Sequence, residues 1–173
     1  MIKYLPRPIP SAALQELRAA DDAGRPLAPF TAAGADAPVD CVGSPLRCCL
    51  RDIAPGERIA LVAYAPLRRW AAATGAAPGA YDEQGPVFIH AGECAGPDGD
   101  GAGYPFAREG ALRTLRRYNA EGQIVGGRYF EVPAAPGSGF DDALDEAFAD
   151  PEVSLVHVRA LEHGCFQFEV RRP

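Results

Sequence analysis

The stretch "SLVHVRALEHGCFQFEV", residues 154–170, alternates in character with a period of two. Successive strand side chains point to opposite faces, so this pattern suits two strands that each lay one face on a core. Val156, Val158 and Ala160 fall on one side and Leu155, His157 and Arg159 on the other. After a loop centred on Glu162, Phe166, Phe168 and Val170 oppose Cys165, Gln167 and Glu169. Matching apolar face to apolar face pairs Arg159 with Cys165, His157 with Gln167 and Leu155 with Glu169. A histidine, an arginine and a cysteine then share one polar face.

Other segments extend the same reading. "ERIALVAY", residues 57–64, follows the turn "APGE" and is apolar on both faces, as an inner strand is. "GPVFIHAGEC", residues 85–94, begins as a buried strand, Val87-Phe88-Ile89, and stops on His90. Residues 111–118 and 123–132 form a hairpin about "NAEG", with Gly126-Gly127 marking a bulge or a close backbone approach. Ser11 is placed to cap a helix with Ala12, Leu14, Leu17 and Ala20 on its apolar side, and a second helix over 141–148 ends before Pro151. Residues 21–44 and 71–80, rich in Ala, Gly and Pro, read as surface connections, and residues 96–105 as a glycine-rich mobile loop. No repeat or second core is visible. The expectation is a single α+β domain over 1–173, mainly antiparallel in its sheet, with a few helices and long loops.

A chain of 173 residues buries enough surface to fold without a metal or disulfide. Its formal charge of -6 disfavours nucleic acid and anionic membranes and leaves a small-molecule ligand as the expected partner. Pro6, Pro8 and Pro10 interrupt the only early apolar stretch, and no run approaches the roughly 18 apolar residues of a membrane span. A cytoplasmic protein is expected. Its five cysteines are an odd number and are expected as reduced thiols. The oligomeric state is not written in the pattern.

The pieces "PLRCCLRDIAPGERIALVAY", "GPVFIHAGEC", "LRRYNAEGQIVGG" and "FADPEVSLVHVRALEHGCFQFEVRR" together resemble a bacterial domain-of-unknown-function family, number 1203 (DUF1203). They span residues 45–172, about three quarters of the chain, while residues 1–44 match nothing in that pattern and are read as a variable N-terminal segment. The resemblance implies one compact bacterial domain and assigns no reaction.

Candidate chemistry therefore comes from residue types and spacing. Neither G-x-S-x-G nor H-E-x-x-H occurs. His90 is the candidate acid–base group, since imidazole exchanges protons near neutral pH, and Cys94 the adjoining nucleophile, with Cys49 as an alternative. Arg47 and Arg159 offer bidentate forks for a small anionic ligand, with His157 and Tyr64 as further contacts. The resulting expectation is a small enzyme or ligand-binding protein with no organic cofactor and no assigned metal. Its alternative is a non-catalytic binding module, with a metal site drawn from Cys48, Cys49, His90, Cys94, His157 and Cys165. Against that metal site, adjacent cysteines face opposite ways if their segment is extended.

Overall fold

A computed structural model of the chain describes residues 3–97, 103–134 and 136–172. The fold is α+β with antiparallel strand pairing, distributed over two sheets. The chain packs as two compact units, one from Pro8–Ala65 and Gln84–Asp98, the other from Met1–Arg7, Pro66–Glu83 and Gly99–Pro173. Among the described residues no helix is long and apolar enough to cross a membrane.

The first unit holds helix α1 (Ser11–Ala19) and strands β1 (Phe30–Thr31), β2 (Arg58–Tyr64) and β3 (Gly85–His90), in the order β1-β2-β3. The register runs from Ile59 opposite His90 to Tyr64 opposite Gly85. Apolar β2 and β3 bury Ile59, Val62, Val87 and Ile89, as their composition predicts. Ser11 is the first helical residue and makes no side-chain cap; Ala13, Leu14 and Leu17 form the buried stripe. Residues 21–44 are more than a connection. They supply β1, whose Phe30 is buried edge-on to Phe88, together with buried Cys41 and Asp21. One large apolar side chain suffices to seat so short an edge strand, which is too weak a signal to stand out from an Ala/Gly/Pro background.

Asp21 fastens the exit of α1 to β2. Its carboxylate accepts hydrogen bonds from the backbone N–H groups of Ala23, Arg25 and Ala63 at 3.0, 2.9 and 3.0 Å. Asp22 repeats the device on the N–H of Ala65 at 2.7 Å, and its own N–H donates to the Ala63 carbonyl.

The second unit holds α2 (Pro66–Thr74), β4 (Leu112–Tyr118), β5 (Ile124–Glu131), α3 (Pro136–Ala149), β6 (Leu155–Ala160) and β7 (Phe166–Arg171), with strand order β5-β4-β6-β7. Helix α3 covers one face, where Phe140 meets Phe130 and Phe168. Helix α2 covers part of the other, where Leu67, Trp70 and Ala71 pack on Tyr118 and Leu155. The Ala-rich residues 71–80 thus begin within a helix, because Leu67, Trp70 and Ala71 fall at i, i+3 and i+4 and need a surface to cover. Gly126 and Gly127 behave as expected. The register shifts beside Arg117, a Cβ at 126 would stand 2.5 Å from Arg117 Nη2, and one at 127 would stand 3.0 Å from the Leu115 carbonyl oxygen.

The C-terminal hairpin keeps Val156, Val158, Phe168 and Val170 on one face but not its expected register, and Phe166 crosses to the other face, where its ring meets His157. Val156 pairs with Val170 and Val158 with Phe168, while His157 lies opposite Glu169 and Leu155 opposite Arg171. A shift between Val158 and Arg159 then sets Arg159 opposite Phe166. A slip of two residues preserves the faces, so alternation alone does not distinguish the two registers. Cys165 falls in the turn, where its carbonyl accepts from the Ala160 N–H at 3.0 Å, and Glu169 takes its expected place on the polar face.

Candidate functional site

Residues 43–53 form a narrow loop closed by Gly43 N–H to Ile53 O, Ile53 N–H to Ser44 O and Leu46 N–H to Arg51 O, each 2.9 Å. Its tip, "RCCLR", is a tight turn in which the Leu50 N–H reaches the Leu46 carbonyl and Leu50 takes a φ of 58°. A left-handed backbone at a leucine is strained and persists only where the surroundings fix it. Here Arg47 N–H bonds Phe88 O at 3.0 Å, which clips the loop onto β3 two residues before His90. Because the tip turns instead of extending, the side chains of Cys48 and Cys49 come to the same side.

Both thiols meet His90. Cys48 Sγ is 3.3 Å and Cys49 Sγ 3.9 Å from Nδ1 of the imidazole, and the two sulfurs are 4.0 Å apart. The backbone N–H of His90 donates to Cys48 Sγ at 3.3 Å. The far side of the ring is held as well, for Nε2 lies 3.4 Å from Glu57 Oε1 and 3.3 Å from Arg51 Nη2. Glu57 is itself fixed by Arg51 at 2.5 Å and by the Ala54 N–H at 2.8 Å. The strand end beneath is tied to α1 through Arg18 Nε, which donates to the His90 carbonyl at 3.3 Å.

The electrostatics separate the two thiols. A hydrogen bond from Cys48 pulls the Cys49 thiol down to about 6 against the opposing effect of burial, helped by the Arg51 N–H and by the charges of His90 and Arg51. Cys48 is pushed up because it donates that hydrogen bond and is buried. Burial also works against the Glu57 carboxylate, yet Arg51, the Ala54 N–H and His90 hold it down at about 2. Two buried thiols of unequal acidity, an oriented imidazole and a paired carboxylate thus occupy one end of β3.

Among the described residues, Cys48, Cys49 and His90 form a set whose ligand atoms all lie within 4.8 Å of one another. Cys94 stands outside that limit. Arg47 is buried and its guanidinium turns back to the Pro45 carbonyl. Tyr64 is at the other end of the strand pair, opposite Gly85, five residues from the position that faces His90. His157 and Arg159 belong to the other unit. Sequence reasoning did not single out Arg51 or Glu57. Their signal is present only as an i, i+6 pair, with Glu57 the last residue of the "APGE" turn, and nothing in that spacing points to a histidine 33 residues on.

A model of the family described as "Protein of unknown function (DUF1203)" matches residues 43–172. No curated protein and no solved structure matches the chain.

Proposed function

The chain belongs to the DUF1203 family, whose description assigns no reaction, and we propose from its own chemistry that it is a metal-binding protein in which Cys48, Cys49 and His90 hold a thiophilic ion of the zinc class. The convergence of three soft and borderline ligand atoms carries the reading. Zinc bonds of about 2.3 Å to sulfur and about 2.05 Å to nitrogen, at tetrahedral angles, put sulfurs about 3.8 Å apart and sulfur about 3.6 Å from nitrogen. The observed sulfur–nitrogen separations of 3.3 and 3.9 Å bracket the second of those edges, and the sulfurs, 4.0 Å apart, stand close to the first. With Nδ1 on the ion, Nε2–H faces Glu57, which is the carboxylate support that orients a metal-bound histidine and raises its basicity. Cys94, four residues beyond His90, is the candidate for the remaining position; without it, water or substrate completes the shell.

A second reading is favoured by the line Cys49–His90–Glu57, which has the order of a thiol nucleophile, its base and the group that orients the base. The imidazole, however, stands nearer to Cys48, the thiol that keeps its proton, than to Cys49. A nucleophilic pair also gives the second buried thiol no task, whereas a metal uses both.

The test is zinc uptake by the full chain under reducing conditions, read by elemental analysis and by competition with a chromophoric chelator. One equivalent is expected, with Cys49→Ser and His90→Ala weakening affinity at least ~100-fold, since each deletes a ligand. Cys165→Ser should leave it unchanged. Absence of stoichiometric uptake, or equal losses from Cys165→Ser and Cys49→Ser, refutes the metal reading. Rapid alkylation of Cys49 with no zinc uptake would establish the nucleophile instead.

A further inference from the structure

In the other unit, the face of the four-stranded sheet on which α2 packs gathers a second polar cluster. Arg116 on β4 lies opposite His157 on β6, with Tyr118 and Arg159 one alternate position away on the same face. The Arg159 side chain is 10% exposed, His157 is fully buried and Tyr118 is fully buried. Two guanidiniums so close together repel, and Arg159 is held below its usual range first by burial and then by Arg116. What reconciles them is Glu83, just after the 3₁₀ turn Gly79–Tyr81. Its carboxylate bridges the pair, reaching Arg116 at 2.5 Å and Arg159 closer still.

The bridge leaves polar atoms around it unpaired. Among the described residues, Tyr118 Oη, Arg159 Nε and both ring nitrogens of His157 are buried without a full hydrogen bond. The Tyr118 hydroxyl interacts with both guanidiniums, and the Glu169 carboxylate is 3.7 Å from His157 Nε2. Buried polar groups are nearly always paired, so several orphans in one patch mark a place built for something with more acceptors than one carboxylate has. Glu83 is the accessible member, its side chain 42% exposed at the mouth of a buried cationic patch.

We propose that Arg116, Arg159 and Tyr118 form a binding site for a small doubly charged oxyanion, a phosphate monoester or a dicarboxylate, and that Glu83 is a tethered stand-in which such a ligand displaces. Paired guanidiniums suit this chemistry because each presents a planar fork to two oxygens. A dianion neutralises both arginines, where Glu83 supplies one charge. The Tyr118 hydroxyl supplies a neutral donor. The site is independent of the thiol–imidazole cluster and does not rest on metal binding.

The experiment titrates inorganic phosphate and succinate into the full chain and follows heat and amide chemical shifts. Glu83→Gln keeps the shape and removes the competing charge, and it should bind at least one of the two anions ten or more times tighter than the unaltered chain. Preference for phosphate identifies the monoester, and preference for succinate the dicarboxylate. Arg116→Gln added to Glu83→Gln should abolish the gain. Arg116, 28% exposed, is chosen over Arg159 because its replacement spares the buried interior. If Glu83→Gln binds neither anion at about 10 mM, where even a weak millimolar complex forms, the proposal fails. It fails equally if the gain survives Arg116→Gln.

Discussion

Asp21 gives a prediction that tests how the first unit is held together. Replacing it by alanine removes the acceptor for three backbone N–H groups and for the Arg25 guanidinium. Two of those donors, on Ala23 and Arg25, are at the surface and regain water. The third, on Ala63, is in the buried part of β2. One stranded buried donor costs about 1–3 kcal/mol, and the lost charge-assisted bonds add about 1 kcal/mol, so Asp21→Ala should lower stability by about 3 kcal/mol. In a domain of this size that corresponds to a fall of about 6–12 °C in Tm. The pH dependence adds a check with a definite sign. Burial opposes ionisation of Asp21, but the Ala63 and Arg25 N–H groups, the Arg25 guanidinium and the Ala23 N–H bring its carboxyl from 3.8 down to about 2. A folded value below the unfolded one stabilises the fold above the unfolded value and ceases to do so as pH falls through the folded one. At about 1.4 kcal/mol per unit, and discounted because Arg25 is in solvent, the effect is about 1–2 kcal/mol. Urea denaturation of Asp21→Asn beside the unaltered chain should show that gap at pH 6, with roughly half of it gone by pH 3. A gap that stays flat over this range, or an Asp21→Ala loss below about 0.5 kcal/mol, would refute the reasoning.

Glu57→Gln should leave the fold intact and weaken zinc binding by about 10–100-fold, because it removes the charge that supports His90 without removing a ligand; the chelator competition measures it. Gly139→Ala is expected to destabilise by about 1–3 kcal/mol although alanine is the better helix former, since its Cβ would stand 2.5 Å from Pro133 Cδ. A raised urea midpoint would contradict it.

The strands that carry both clusters are readable from β2, β3 and the C-terminal alternation, because burial on a sheet imprints period two or a continuous apolar run. His90, His157 and Arg159 were accordingly visible as positions. What escaped was chemistry supplied by turns and loops. Cys48 and Cys49 converge because residues 46–50 close into a tight turn, with the Leu50 N–H on the Leu46 carbonyl, and that turn carries no glycine or proline to announce it. Glu57 and Glu83 act through arginines and a histidine brought near by folding, at separations that no local pattern encodes. Helix α2 was masked by composition, since its large apolar residues are few and the alanines beside them also suit a loop.

The carboxylates of Asp21 and Asp22 also decide where a sheet stops. Beyond its two residues of pairing with β1, strand β2 and the residue that follows it carry the N–H groups of Ala63 and Ala65, and an edge of free N–H groups invites another chain to add a strand. A carboxylate accepts and has nothing to donate, so it consumes those groups without creating a fresh row for a newcomer. The two aspartates act as a selvage on that stretch of β2, guarding it against self-association with side chains where a further strand would only have moved the exposed edge outward.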